Sequence, residues 1–461
     1  MKQTTGQRDF SKGKMWRNII AQSVPLIIAQ LIQLLYNIVD RIYIGHLPGV
    51  GVLALTGVGV TFPIVTLVLA FSYLSGMGGA PLFSIARGAK EDEEARHIMG
   101  TSYTLILILA VSFMVVCYIF RTPLLYLFGA SDDTIIYAQS YLSIYLIGVI
   151  FSMTSTGMNG FISALGYPRT AMWTTVIGAL VNLGLDPIFI FALSMGVRGA
   201  ALATVISQGI SAIWVLHFLI AGKTDFHLKL SYMKLQGQRV KKILGLGVSG
   251  FTQQATNSLV QIVCNMTLQT FGGDLFVGIM TIINSVREIA SVPVIGLTTG
   301  SQPVFGFNYG AKEYGRVREG IRFVSLVGIL YTVIIWLVLE LIPGPFIHIF
   351  SSDAMTLTAG IPALRIYFLG FVCMGLQFIG QSVFVGLGKS RRAIFFSLLR
   401  KVIIIIPLVI LLPRLWGLGT NGVFWAEPIS CFIGGTAAFV TMWLTLYRKL
   451  PDRGPERETS E

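Results

Sequence analysis

Apolar stretches of about 20 residues or more recur along the chain, separated by short polar segments, and a helix of that length crosses the hydrocarbon of a bilayer. The alternation predicts twelve spans, at 18–44, 53–80, 100–120, 135–160, 170–193, 197–221, 243–270, 276–303, 321–343, 357–386, 393–413 and 418–446. The first is too long for a cleaved signal peptide and ends in no small-residue cleavage site. The expected fold is therefore an all-α polytopic membrane protein.

Composition supports this solvent. Of 461 residues, 54% are hydrophobic and 12% charged, where a soluble domain carries about 25% charged residues. The basic residues predict the orientation. With the N-terminus as the first segment outside the membrane, twenty-eight of the 34 Lys and Arg fall in odd-numbered segments. Lys389, Arg391, Arg392, Arg400 and Lys401 are counted among them. Arg121, Arg198 and Arg414 fall in even-numbered segments, and Arg41, Arg287 and Arg365 inside spans. The positive-inside rule then puts both termini in the cytoplasm. The net charge of +13 reads as a topology signal and a contact with anionic headgroups. No nucleic-acid module accompanies it. Cys117, Cys264, Cys373 and Cys431 all lie in apolar spans without CxxC spacing, so free thiols are expected rather than a disulfide framework or zinc site.

The chain repeats itself. "GGAPLFSIARGAKEDEEAR" (78–96) aligns with "GSQPVFGFNYGAKEYGRVR" (300–318) at an offset of 222. The same offset pairs "ALGYPRTA" (164–171) with "GLGKSRRA" (386–393), and an offset of 223 pairs "GVRGAALATVIS" (196–207) with "GTNGVFWAEPIS" (419–430). Spans 1–6 and 7–12 are thus two copies of one six-helix unit, giving two pseudo-symmetric six-helix bundles. The expected divisions are a first lobe at 1–221, a cytoplasmic linker at 222–242, a second lobe at 243–446 and a tail at 447–461. An even number of spans per copy makes the repeats parallel, and such repeats place a transported substrate between the halves near the midplane.

Against this apolar background the intramembrane acids stand out. Asp186 is the one charged residue in 178–193, and Asp40 lies at similar expected depth toward the end of span 1. Asn182 and Tyr36 precede them by four residues, one helical turn on the same face. Pro187 leaves the carbonyl of Leu183 without its helical donor. A carboxylate in the bilayer interior is costly and is a functional candidate by default. The pair would hold a proton or a cation, the alternative being two acids that fix helix packing. The repeat serves as an internal control: an offset of 224 places Cys264 on Asp40, and Asp186 falls near Leu408 and Val409. The acids are therefore not needed to fold a six-helix lobe.

Other features are weaker. Arg287 and Glu288 are adjacent in span 8 and can form an internal ion pair, and Glu427, the counterpart of Thr204, can face a cavity or serve packing. Arg365 and Glu340 lie close enough to span ends to snorkel. "GLGVSG" (245–250) has no strand before it, and "GLGKS" (386–390) has Val383 where a phosphate loop needs glycine. Neither is a nucleotide site. The five histidines read as interfacial residues.

At "VPLIIAQLIQLLYNIVDRIYIG" (24–45), "GAKE" (88–91), "VNLGLDPIF" (181–189) and "GVRGAALATVIS" (196–207) the sequence resembles the multidrug and toxic compound extrusion (MATE) family. The branch it resembles is the one with a cation site in the first lobe. The resemblance spans nearly the whole chain. It implies antiport coupled to H⁺ or Na⁺ at Asp40, Asn182, Asp186 and Thr204, with Tyr36 nearby. By spacing, Tyr141 and Asn159 would line the same cavity. Glu288 and Glu427 are further candidate cavity residues by their place within spans. The family's span-1 proline falls on Pro25, an implied hinge, and Pro187 is a second hinge candidate because it interrupts span 5. A second-lobe acid in span 7, the mark of the other branch, is missing from "GFTQQATNSLVQIVCNMTLQ" (250–269).

The expectation is a secondary active exporter of amphipathic organic cations, working by alternating access in the cell membrane. No enzymatic activity and no cofactor beyond the coupling H⁺ or Na⁺ are expected. Organic cations and membrane lipids are the expected partners, nucleic acid is not, and the chain is taken to act as a monomer. The rivals are a lipid-linked oligosaccharide flippase of the related superfamily, an exporter of one specific metabolite, and a membrane enzyme, for which no paired catalytic motif is found.

Overall fold

A computed structural model describes residues 9–45, 47, 51–222, 224–350, 353–415 and 417–451. His46, Lys223, the two ends of the chain and the Arg41 side chain lie outside the described residues. Among the described residues every regular element is helical. The long elements are α1 (Met15–Gly45), α2 (Gly51–Gly88), α3 (Asp92–Ile119), α4 (Ile135–Ala164), α5 (Pro168–Ala192) and α6 (Val197–Ala221). Gly237–Gly310 is a single run bent at Gly273, whose φ of 63° and ψ of −162° suit glycine alone. It supplies α7 (237–272) and α8 (Leu275–Gly310). α9 (Tyr314–Leu341), a bent α10 (Ala354–Phe368 and Phe371–Gly386, 42° apart), α11 (Ser390–Arg414) and α12 (Thr420–Lys449) complete twelve passes.

Ten of these helices are long and apolar enough to cross a membrane, and the bent pair makes an eleventh. α7 is the one of the twelve that falls short, because its middle carries the polar run "TQQATNS" (252–258). Most helices outrun their apolar stretch. α2 has 38 residues, roughly 57 Å at 1.5 Å per residue, against a hydrocarbon layer of about 30 Å. Hydropathy senses hydrocarbon, whereas backbone hydrogen bonding continues into the polar zones. Leu326, Leu330, Ile334, Leu337 and Leu341 form an exposed stripe along α9, as lipid-facing side chains do.

The repeat is written into the backbone. Lys90 and Lys312, both in GAKE, take left-handed φ values of 61° and 60°. Gly196 and Gly419, which precede α6 and α12, adopt φ/ψ of 55°/−131° and 52°/−129°. Asn159 Nδ2 donates to the Ala171 carbonyl at 3.0 Å, and Gln381 Nε2, its counterpart, donates to that of Ala393 at 2.9 Å. Arg96 and Arg318 each donate to a carbonyl beyond the last helix of their copy, Asp225 and Leu450.

The chain falls into two compact units. One comprises residues 1–10 and 24–254, the other 11–23 and 255–461. Neither limit falls at the 222–242 segment. Instead the first helix of each repeat changes unit part-way along, α1 beside Pro25 and α7 after Gln254. Inside the first unit, α7 crosses α2 where Gly78 faces the backbone of Ile243 and Gly247, while Gly247 faces that of Leu74, and Arg239 makes a bidentate pair with Glu94 at 3.1 and 2.6 Å. Inside the second unit, Gly300 of α8 lies against Ser23 of α1, the repeat image of that crossing.

A methyl group on Gly247 would land on the Leu74 carbonyl oxygen, whereas one on Gly245 would meet nothing. Gly247→Ala should cost about 1–3 kcal/mol through overpacking, and Gly245→Ala should be neutral or stabilising by up to about 1 kcal/mol. Thermal unfolding of the two purified variants checks the pair.

Candidate functional site

The first unit gathers four pairs of polar side chains, each pair one helical turn apart on its own helix. α1 supplies Tyr36 and Asp40, α4 Tyr141 and Tyr145, α5 Asn182 and Asp186, and α6 Thr204 and Gln208. Spacing of i, i+4 keeps both members of a pair on one face, so four helices packed together aim eight groups inward.

Asp186 is 1% exposed and Asn182 2%. Asn182 Nδ2 donates to Asp186 Oδ1 over 3.4 Å. The carboxyls of Asp186 and Asp40 lie within hydrogen-bonding range of each other, and Tyr36 lies within electrostatic range of both. Thr204 Oγ1 gives its proton to the Ala200 carbonyl at 3.0 Å, which leaves its lone pairs to the neighbouring Tyr141 hydroxyl. Tyr141 stacks on Tyr145 with ring centroids 5.9 Å apart, and Tyr145 meets Gln208. Pro187 follows Asp186, and Ile188–Ala192 continues as a π-helix, an irregularity that frequently marks functional sites.

Two carboxyls in contact within an apolar interior cannot both remain bare anions. They hold a proton between them or share a cation. The two carboxyls bring oxygen donors together, the kind hard cations take, while the Asn182 amide nitrogen donates to one of them. No group of three or more His, Cys, Asp or Glu suited to a metal ion occurs among the described residues.

Thus Tyr36, Asp40, Tyr141, Asn182, Asp186 and Thr204 come together. Asn159 does not. It hydrogen-bonds to Ala171 and Thr174, and Ala171 lies roughly 22 Å before Asp186 along α5 at 1.5 Å per residue. Its counterpart Gln381 makes the same bond from α10 to α11, so this contact ties the fourth helix to the fifth in each repeat. Tyr145 and Gln208 escaped the sequence reading, although each sits one turn beyond a residue that was singled out.

The second unit holds a cluster at the repeat-equivalent place. By the same offsets Tyr367 answers Tyr145, Glu427 answers Thr204, and Cys431 answers Gln208. Glu427 is buried and paired with Arg400, Nη1 to Oε1 at 2.7 Å, and Arg400 also reaches Cys431 Sγ at 3.0 Å. Arg400 and Lys401 are therefore not in a cytoplasmic segment. Both are buried in the π-helix Leu399–Ile405 of α11. Moving these two inside leaves the charge asymmetry across the membrane intact. Glu288 is exposed and makes no ion pair with Arg287, because adjacent helical residues point about 100° apart. Arg365 caps α9 by donating from Nε to the Glu340 carbonyl at 3.1 Å.

Twelve passes, two repeats and a buried polar cluster in each define a helical membrane protein of the transporter type. A family model, MatE, matches residues 25–188 and 251–411, once in each repeat, and the chain belongs to that family. It is 24% identical over 429 residues to the multidrug export protein MepA of Staphylococcus haemolyticus, covering 92% of this chain and 93% of the relative. MepA of Staphylococcus aureus is 22% identical over 436 residues, covering 94% and 95%. The fold matches a solved outward-facing multidrug resistance MATE family transporter with a TM-score of 0.89 at 23% identity, over 96% of this chain and 98% of that one.

Removing the carboxylate of Glu427 leaves Arg400 buried without its counterion. Glu427→Gln should cost about 3–5 kcal/mol of stability, and the double variant Arg400→Met/Glu427→Leu should recover most of it. Comparison of their unfolding midpoints with that of the wild type checks this.

Proposed function

We propose that the chain is a secondary active multidrug exporter of the cell membrane, with both termini cytoplasmic, that exchanges H⁺ or Na⁺ for amphipathic organic cations. The observation that carries this reading is the contact between the Asp40 and Asp186 carboxyls, set among tyrosines in an apolar interior. Such a pair has a reason to bind a cation from outside and to release it inside. Membership of the MatE family and the multidrug export names of the relatives support the substrate class. Aromatic and carboxylate groups suit organic cations.

In the cycle, the cluster takes up H⁺ or Na⁺ while facing outward. Asp40 lies on α1 and Asp186 one residue before Pro187, so charge neutralisation acts on two helices already weakened by proline, at Pro25 and Pro187. Repacking of these helices lowers the affinity for drug, which leaves. The ion shifts the equilibrium only by its different affinity for the two states. The protein works without enzymatic chemistry, without a further cofactor, and as a monomer.

The flippase rival needs an open cationic cavity for a pyrophosphate. Arg365 is committed to capping α9, which weakens that reading. Efflux of a fluorescent organic cation from cells, at matched membrane levels, tests the proposal. Wild type should export, and Asp40→Asn and Asp186→Asn should fall to the background of cells without the protein. Variants that export like the wild type would make the two acids packing devices. A wild type that exports no cation would favour the flippase.

A further inference from the structure

The second unit carries the repeat image of the acidic cluster with its polarity reversed. Where the first unit sets Asp40 against Asp186, the second has Cys264 and the neighbourhood of Leu408. What surrounds Tyr367, Glu427 and Cys431 is instead a set of cations. Arg400 is 3% exposed and Lys401 6%. Arg287 reaches the same interior from α8, and its Nε is enclosed without a hydrogen-bond partner, as is the Nε of Arg400. Lys401 has no hydrogen bond or ion pair among the described residues, and Glu427 is the one carboxylate among these groups. Arg287 also feels the exposed Glu288 beside it, but within the buried cluster three basic side chains face one acid, and that acid is committed to Arg400.

Part of this cluster borders a small, partly open pocket. Arg287, Tyr367, Glu427 and Cys431 line it, with Phe368, Phe371 and Met374 as an apolar wall. Its position follows from the fold. α10 breaks at Gly370 because it crosses α12 there, and a methyl group on Gly370 would strike Pro428 and Cys431. Cys431 also opens the π-helix Cys431–Gly435, so α11 and α12 are both irregular at this level.

From this arrangement we infer that the second unit binds a small monovalent anion, a halide or a carboxylate group, beside Arg287 and Tyr367, with Lys401 within electrostatic reach behind the pocket wall. Buried charges without partners are costly, and an anion restores the balance that a single glutamate does not. The small opening and the apolar wall exclude a phosphodiester or a large dianion. The pocket lies within the second unit and the inference does not depend on cation export by the first.

The test uses purified full-length protein in sodium gluconate, an anion too large for the pocket, exchanged at constant Na⁺ and ionic strength for chloride, bromide, formate or acetate. Wild type should show a saturable rise in unfolding midpoint. A rise with chloride and bromide identifies an inorganic ion as the occupant, and a rise confined to formate and acetate identifies the carboxylate of an organic molecule. Lys401→Met should be at least as stable as wild type in gluconate and bind the anion at least tenfold more weakly. Arg287→Met is read in the same way, so that a folding failure of one variant leaves the other to decide. Equal wild-type midpoints in all the anions, or a rise that survives in the variants, would overturn the inference.

Discussion

Hydrocarbon cannot solvate a charge, and every ionisable group within the membrane-spanning helices has to be answered by the protein itself. This constraint organises the molecule more than any single contact. It turns leucines outward along α9, and it draws the charges of α5, α11 and α12 into the interiors of the two units. Once inside, a charge needs a partner. The second unit answers Glu427 with Arg400. The first sets one carboxyl against another, an arrangement that needs a proton or a bound cation between them. That difference is why the proposed coupling role falls on the acidic pair and not on Glu427 with Arg400.

The two clusters are also variations on one scaffold. The glycine that precedes α6 and the one that precedes α12 have nearly the same backbone angles, and a tyrosine on the fourth helix of each repeat faces a polar residue on the sixth. Each cluster is flanked by a π-helical turn. Replacing a few side chains on that frame has given one interior an excess of acid and the other an excess of base. A membrane protein can do this cheaply, because the backbone hydrogen bonds are complete within each helix and the lobe does not depend on its polar centre to fold.

The number of helices, the repeat and the acidic pair were legible because each has a strong local signature: apolar length, recurrence at a fixed offset, and charge where charge is rare. Asp40 and Asp186 needed no knowledge of their partners to be noticed. Arg400 and Lys401 were misplaced because the charge count gave them to the segment before a span, 393–413, that already contains them, and no local pattern points to Glu427, 27 residues further along. Asn159 looked like a cavity residue until its bond to Ala171 appeared again as Gln381 to Ala393, a correspondence the repeat already contained. Tyr145 and Gln208 were hidden by their ordinariness. Single polar residues on a membrane helix acquire meaning only when a neighbouring helix presents something to them.

The central claim is that occupancy of the Asp40–Asp186 cluster and binding of the exported compound are linked. The most direct measurement is the affinity of the purified protein for a fluorescent organic cation, taken as Na⁺ and pH are varied separately. Linkage requires that an ion which displaces the drug alters its affinity, and reciprocally. The account predicts that wild-type affinity falls as the coupling ion, H⁺ or Na⁺, is raised, and that in Asp186→Asn the affinity is indifferent to both. A wild-type affinity that stays constant across both titrations, or an ion dependence that persists unchanged in Asp186→Asn, would contradict it.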